Sequence, residues 1–401
     1  MNTTSSPWTI LCICLLTAAF DGFDNESLAF VATSLVHDWG LHVSALGVVF
    51  TIGLAGLIVG SLVIAPFADR FGRKQLMVLA ALWVASATFA TSLANTIPHL
   101  AAIRFLTGIG LGALIPLVVT VSHEAAPLGL RSTFVTVIMA GFPAGSAVGA
   151  MITAWTLPRY GWAVLYVGMS VAGLIIALAG ALGLPRDARA SSGPRLSAPP
   201  ILPLLRGSNA ALTPLLWLLF ITALIVAYLL ASWLPSLLQR EGFSAAQAVM
   251  AKGYFSMGGI VGAIALSFFI ARYGEIVLVL SYSCAAAGIF AFAFVGGSET
   301  LLFGLNMAVG FLVYGGYACA NALAAALYSL ETRATGVGWA QGIGRVGAFG
   351  APALVGIALQ HDWTNFAIFV LMTVTTLVGV AIAISILLLK RDIAIGSASK
   401  A

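Results

Sequence analysis

Twelve apolar windows of membrane-spanning length divide this chain. They fall at roughly 8–36, 43–66, 75–95, 97–122, 132–157, 161–184, 211–237, 246–271, 275–296, 300–328, 335–359 and 364–390. Windows of that length suit transmembrane helices, at about 1.5 Å rise per residue. The expected fold is therefore an all-α membrane protein in the lipid bilayer with twelve transmembrane helices. The composition agrees: 61% of the 401 residues are hydrophobic and 8% are charged. A soluble domain carries about 25% charged residues.

The first window is not read as a cleaved signal peptide. No Lys or Arg precedes it, and its centre reads Asp21-Gly22-Phe23-Asp24. Two carboxylates three residues apart share one helix face. Each costs on the order of 2.5–3.5 kcal/mol at mid-membrane depth, and Glu26 follows just beyond. Such acids mark a proton or ion path, or else they pair with buried Arg and hold helices together. We expect Asp21 and Asp24 to carry proton coupling.

Basic residues set the orientation. Thirteen of the eighteen Lys and Arg lie on one side, including Arg70, Arg73, Lys74, Arg131, Arg272, Arg333, Lys390 and Arg391. Arg159, Arg240 and Lys252 fall on the other, and Arg104 and Arg345 lie inside spans. The positive side is expected to be cytoplasmic, with both termini on it. No basic run with interleaved aromatics suggests nucleic-acid binding. Cys12, Cys14, Cys284 and Cys319 lie in apolar spans and read as small packing residues, without disulfide or metal. No cofactor is expected.

Residues 185–210 hold five Pro and four Arg and read as a cytoplasmic linker. It separates a six-helix half at 1–184 from another at 211–401. The halves echo each other. Asp69-Arg70-Phe71-Gly72-Arg73-Lys74 follows the second span and Ala271-Arg272-Tyr273-Gly274-Glu275 the eighth. Arg131 opens the fifth span and Arg333 the eleventh, each with a glycine fourteen residues on, Gly145 and Gly347. Duplicated units with a site between them are a transporter architecture.

Gly60 with Asp69 to Lys74 resembles the loop signature of the major facilitator superfamily. Arg104-Phe105-Leu106-Thr107-Gly108-Ile109-Gly110-Leu111-Gly112 resembles its fourth-helix motif, and Gly141-Phe142-Pro143-Ala144-Gly145 is similar to its fifth-helix motif. Finer marks resemble the aromatic acid/proton symporters: Asp21 to Asp24, Glu124-Ala125-Ala126-Pro127 through Arg131, Tyr328, Arg333 to Trp339, and Gly344-Arg345. The resemblance implies the major facilitator fold of two pseudo-symmetric halves. It also implies proton-coupled uptake of a small aromatic carboxylate (benzoate-like or hydroxybenzoate-like) across the bacterial inner membrane by alternating access, by a monomer. Asp69, Arg70, Gly72, Arg73, Lys74, Glu124, Arg131 and Arg333 are then gating residues, with Asp69 near the amino end of helix 11. The chain departs from the pattern at Ala271 and Glu275, where the second signature lacks its acid and basic tail, and its loops are short.

The residues give a substrate site of their own. Arg104 and Asp24 lie at depths a long side chain can bridge, so a pair is expected. Arg345 lies near mid-depth with no acid at similar depth in its half, which suits a substrate carboxylate; pairing with Asp21 is the other reading. Tyr314, Tyr317 and Asn321 share a face of the tenth span and suit an aromatic ring and its hydroxyl, or simple packing. Arg104 and Phe23 are further substrate-binding candidates. A membrane enzyme would need a nucleophile–base pair or clustered metal ligands, and neither is legible. A drug or metabolite exporter of the same superfamily and a transporter-like aromatic acid sensor remain as alternatives.

Overall fold

The computed structural model describes residues 6–127, 130–185, 202–205, 209–295, 298–328 and 333–398. Thirteen α-helices follow one another, and no strand occurs among these residues: α1 Pro7–Asp38, α2 Leu46–Val59, α3 Ala68–Phe71, α4 Arg73–Thr91, α5 Ile97–Ala125, α6 Arg131–Gly183, α7 Asn209–Arg240, α8 Ala245–Tyr273, α9 Ile276–Ala291, α10 Glu299–Leu327, α11 Arg333–Ala348, α12 Ala351–Gln360 and α13 Asn365–Ala398.

Ten helical stretches among the described residues are long and apolar enough to cross a membrane. The difference from twelve windows has two local causes. The fifth and sixth windows are two helices that meet at a kink at Gly161, φ +74°, and are counted together as α6. That value suits glycine because a Cβ is crowded there. The second window is divided: α2 passes into a π-turn at Gly60–Ile64 and a 3-10 turn at Ala65–Phe67. Helix starts follow ordinary chemistry. Pro7 occupies the first turn of α1. Thr96 caps α5 by accepting from the His99 N–H, and Ser298 caps α10 by accepting from that of Leu301. Gly72 at φ +91° turns the chain between α3 and α4.

The chain forms two compact units. Unit 1 comprises Met1–Pro194, Ser232–Gly253 and Pro352–His361; unit 2 comprises Arg195–Ala231, Tyr254–Ala351 and Asp362–Ala401. Most of the expected linker lies outside the described residues. Its short turn Leu202–Leu205 is docked on unit 2: Leu204 is buried, and its carbonyl accepts from Thr213 Oγ1 at 2.6 Å. Tyr328, buried beside Gly336, donates to that Thr213 hydroxyl at 3.2 Å.

Glycines set the helix spacing in both units. In unit 1 a Cβ on Gly56 or Gly60 would overlap the backbone of α5, and one on Gly108 or Gly112 the backbone of α2. In unit 2 Gly258 and Gly262 lie against the backbone of α10, and Gly310 against that of α8. The second and fourth spans thus meet as the eighth and tenth do, in the small-residue packing that membrane helices use when lipid gives no hydrophobic drive. Helix α1 fits α6 the same way, through Gly22, Gly145 and Gly149. Many large apolar side chains face outward, Leu182 and Phe268 at 75% exposure among them. A water-facing surface of that kind would aggregate; a lipid-facing one is at equilibrium.

Candidate functional site

Charge is concentrated in the interior of unit 1. Asp21, Asp24, Glu26, Arg104 and Lys252 are all buried, none more than 6% exposed. Asp24 is the hub of one cluster. Arg104 on α5 places Nη1 3.1 Å from Asp24 Oδ1 and donates from Nη2 to the Asp24 carbonyl at 2.9 Å. Thr88 on α4 donates to Asp24 Oδ2. Ser27 donates to the Asp24 carbonyl at 2.7 Å and lies 3.3 Å from the Tyr166 hydroxyl of α6. The expected Asp24–Arg104 pair therefore forms between α1 and α5, and α4 and α6 help to hold it. Asp21 is buried one turn earlier on α1. Phe23 packs toward Phe30, with ring centroids 6.4 Å apart, and over Gly149.

Glu26 belongs to a second cluster. Lys252 Nζ, from the start of α8, lies 3.0 Å from Glu26 Oε2, and Ser146 of α6 donates to the same oxygen at 2.6 Å. Sequence reasoning had placed Lys252 on the outer side, near the start of the eighth window. The available signal was a lone Lys inside an apolar window, where an ammonium needs a buried partner.

At the end of unit 1 that carries the loop signature, Arg73 pairs with Glu124, joining α4 to α5. Lys74 donates to the Leu184 carbonyl at 2.5 Å and so caps the end of α6. The side chains of Asp69, Arg70, Arg131 and Arg333, expected to gate, lie outside the described residues.

Unit 2 holds the other candidates. Tyr317 on α10 packs edge-on against Phe220 of α7 at 5.7 Å. Asn321 donates from Nδ2 to the Tyr317 carbonyl at 2.8 Å and accepts from Gln341 Nε2 of α11 at 2.7 Å. Arg345 stands one turn beyond Gln341, half-buried, and its charge acts on Tyr317, as does the neighbouring Tyr228. Among the described residues of unit 2 the carboxylate in an ion pair is Glu275, with Lys390; none pairs with Arg345. Tyr314 turns instead toward Phe255, centroids 5.5 Å apart, over Gly259. Sequence reasoning missed Gln341, although its four-residue spacing from Arg345 puts both on one face. Glu275, where the second loop signature departs from the family pattern, is bonded to Lys390 of α13.

Among the described residues no group of His, Cys, Asp and Glu could hold a metal, and all four cysteines are free. Close-packed glycine-lined helices around buried, paired charges define a multi-pass membrane carrier. The chain belongs to the Major Facilitator Superfamily, whose family model matches residues 14–315. It is similar to the 4-hydroxybenzoate transporter PcaK of Pseudomonas putida, at 33% identity over 94% of this chain and 92% of that protein. It is 34% identical to the gallate transporter of Pseudomonas putida, over 95% of this chain and 91% of that one. Among solved structures, a bacterial homolog of the human lysosomal transporter Spinster, in an inward-facing and occupied conformation, matches with a TM-score of 0.78 at 17% identity, covering 95% of this chain and 96% of that chain. That likeness concerns the fold alone.

Proposed function

We propose that the chain takes up a small aromatic carboxylate across the bacterial inner membrane by alternating access, driven by the proton gradient, as a monomer with both termini cytoplasmic. The observation that carries this reading is Arg345: a guanidinium inside a span, paired with no acid among the described residues of unit 2, one turn from the Gln341 that bonds Asn321 and near enough for its charge to act on Tyr317. A guanidinium binds a carboxylate through two parallel hydrogen bonds. Tyr317 offers a ring face, and the polar pair suits a ring hydroxyl. Relatives named for 4-hydroxybenzoate and gallate, both hydroxylated benzoates, support the substrate class.

Asp21 and Asp24 supply the proton side. Asp24 is paired with Arg104 and accepts from Thr88, and it and Asp21, buried one turn away on α1, are together assigned to proton coupling. The thirteen basic residues on one side support the orientation. Uptake of labelled 4-hydroxybenzoate by cells expressing the protein, with and without an uncoupler, tests the reading. Accumulation that collapses with the uncoupler is expected. Accumulation that persists removes proton coupling, and absence of uptake for every aromatic acid removes the substrate class.

A further inference from the structure

Lys252 has no part in the function just described, yet it is among the largest fully buried side chains of the molecule. Burying an ammonium is worthwhile only against a partner carboxylate, and Glu26 at 3.0 Å supplies one. The two come from distant parts of the sequence. Glu26 lies in the first helix; Lys252 lies in Ser232–Gly253, a segment of the second sequence half that belongs to unit 1 while the rest of α7 and α8 belongs to unit 2. The same unit includes Pro352–His361. Other contacts fasten these segments inside unit 1. Thr33 Oγ1 donates to Gln239 Oε1 at 2.6 Å. Trp233 donates to the Pro352 carbonyl at 3.0 Å and packs edge-on to Phe50 at 5.3 Å. Gly47 meets Gly356 backbone to backbone. These are neutral contacts, replaceable by water or lipid at small cost. Glu26–Lys252 is different in kind.

We propose that Glu26 and Lys252 are a charge lock on this end of unit 1, outer in the orientation above, which shuts only when both charges meet. The inference rests on the alternating-access reading, in which this end must open during each cycle. Opening returns both groups to water, where each is stable alone. Closing strips water from both, and that is tolerable only as a pair, with the Ser146 hydroxyl completing the shell of Glu26. Removing either charge leaves the other buried and unpaired, so it penalises the closed form and spares the open one. Removing both spares closure. The lock therefore predicts opposite outcomes for single and double variants, which a contact that merely fills space would not.

The reporter is Ser236, 1% exposed on α7 within unit 1. Ser236→Cys is placed in a full-length chain whose four native cysteines are alanine, and cells are treated with a membrane-impermeant maleimide. Labelling is expected to rise at least about tenfold in Glu26→Gln and in Lys252→Met, and to return to the parent level in Glu26→Gln/Lys252→Met. Unchanged labelling in the single variants, or a double variant as reactive as the singles, overturns the lock. Should the single variants fail to reach the membrane, the exchanged pair Glu26→Lys/Lys252→Glu keeps both charges in reversed places: labelling at the parent level supports the lock and labelling raised at least about tenfold overturns it. The readout needs no substrate. A parent protein that takes up no aromatic acid overturns the proposed function without touching this comparison. Labelling confined to inverted vesicles overturns the orientation, and the single-versus-double comparison is then read from that side.

Discussion

Arg104 closes on Asp24 twice, with Nη1 3.1 Å from the carboxylate and Nη2 donating to the same residue's carbonyl at 2.9 Å. The second bond fixes the guanidinium to the backbone of α1 as well as to a side chain, so the pair registers α1 against α5. Neither group is more than 6% exposed. A buried ion pair contributes little net stability because desolvation offsets attraction, while loss of one partner costs about 3–5 kcal/mol.

Asp24→Asn should therefore destabilise the folded protein by about 3–5 kcal/mol, and Asp24→Asn/Arg104→Gln should recover most of it. Thermal unfolding in detergent measures both. Transport should be lost in the single and the double variant alike, because the repaired neutral pair lacks the Asp24 carboxylate. A double variant that regains accumulation against a gradient would remove Asp24 from the coupling machinery.

The glycine contacts give a sharper contrast. A Cβ at Gly112 would overlap the Leu57 backbone, whereas one at Gly304 would meet nothing within 4 Å. Gly112→Ala must push α2 from α5 and should cost about 1–3 kcal/mol, the usual range for overpacking. Gly304→Ala should be neutral or slightly stabilising, since alanine favours helix over glycine. The two unfolding temperatures, measured side by side, check the pair.

How far these features were legible in the sequence depends on their range. Twelve apolar windows and the loop signature follow from local pattern, and so does the Asp24–Arg104 pair, because two span depths suffice to match them. The Gly161 break was legible as the boundary between the fifth and sixth windows. Lys252 was not legible: depth counting from the end of a span put it at the rim, and only the path of α8 beside α1 buries it. Gln341 was within reach of spacing alone. Tyr314 shared a face with Tyr317 and Asn321 on paper, but the turn of α10 aims it at Phe255 instead. The roles of Asp69 and Arg333 came from resemblance, and their side chains lie outside the described residues.

Glu275 gives a pH dependence with a defined sign. Burial raises its carboxyl, but the Lys390 hydrogen bond, a backbone hydrogen bond and the Lys390 charge together outweigh that and hold it below its ordinary value of 4.5. A depressed folded value means the pair's stabilisation is present above the ordinary carboxylate range and is lost as pH falls through the lowered value. Both groups are partly exposed, so the effect should stay within about 1 kcal/mol. Lys390→Met should lower the unfolding temperature at pH 7 and lower it less at pH 3. An equal loss at both values would assign Lys390 to packing by its aliphatic stem.

Arg345 decides the substrate question. Its planar fork can hold a carboxylate by two parallel bonds, whereas lysine offers a point charge on a flexible stem. Arg345→Lys should therefore weaken benzoate binding, by about 1–2 kcal/mol for the loss of one charge-assisted bond, rather than only slow turnover. Benzamide cannot use the second charge-assisted bond, so its weak competition should change little. Gln341→Leu removes the donor that Asn321 accepts from and should penalise 4-hydroxybenzoate more than benzoate, because the ring hydroxyl loses a polar neighbour while the carboxylate keeps Arg345. Competition against labelled 4-hydroxybenzoate in the parent, Arg345→Lys and Gln341→Leu measures the three effects together. If Arg345→Lys ranks benzoate and benzamide as the parent does, with benzoate affinity unchanged, Arg345 is structural, and the carboxylate must be sought at another buried cation.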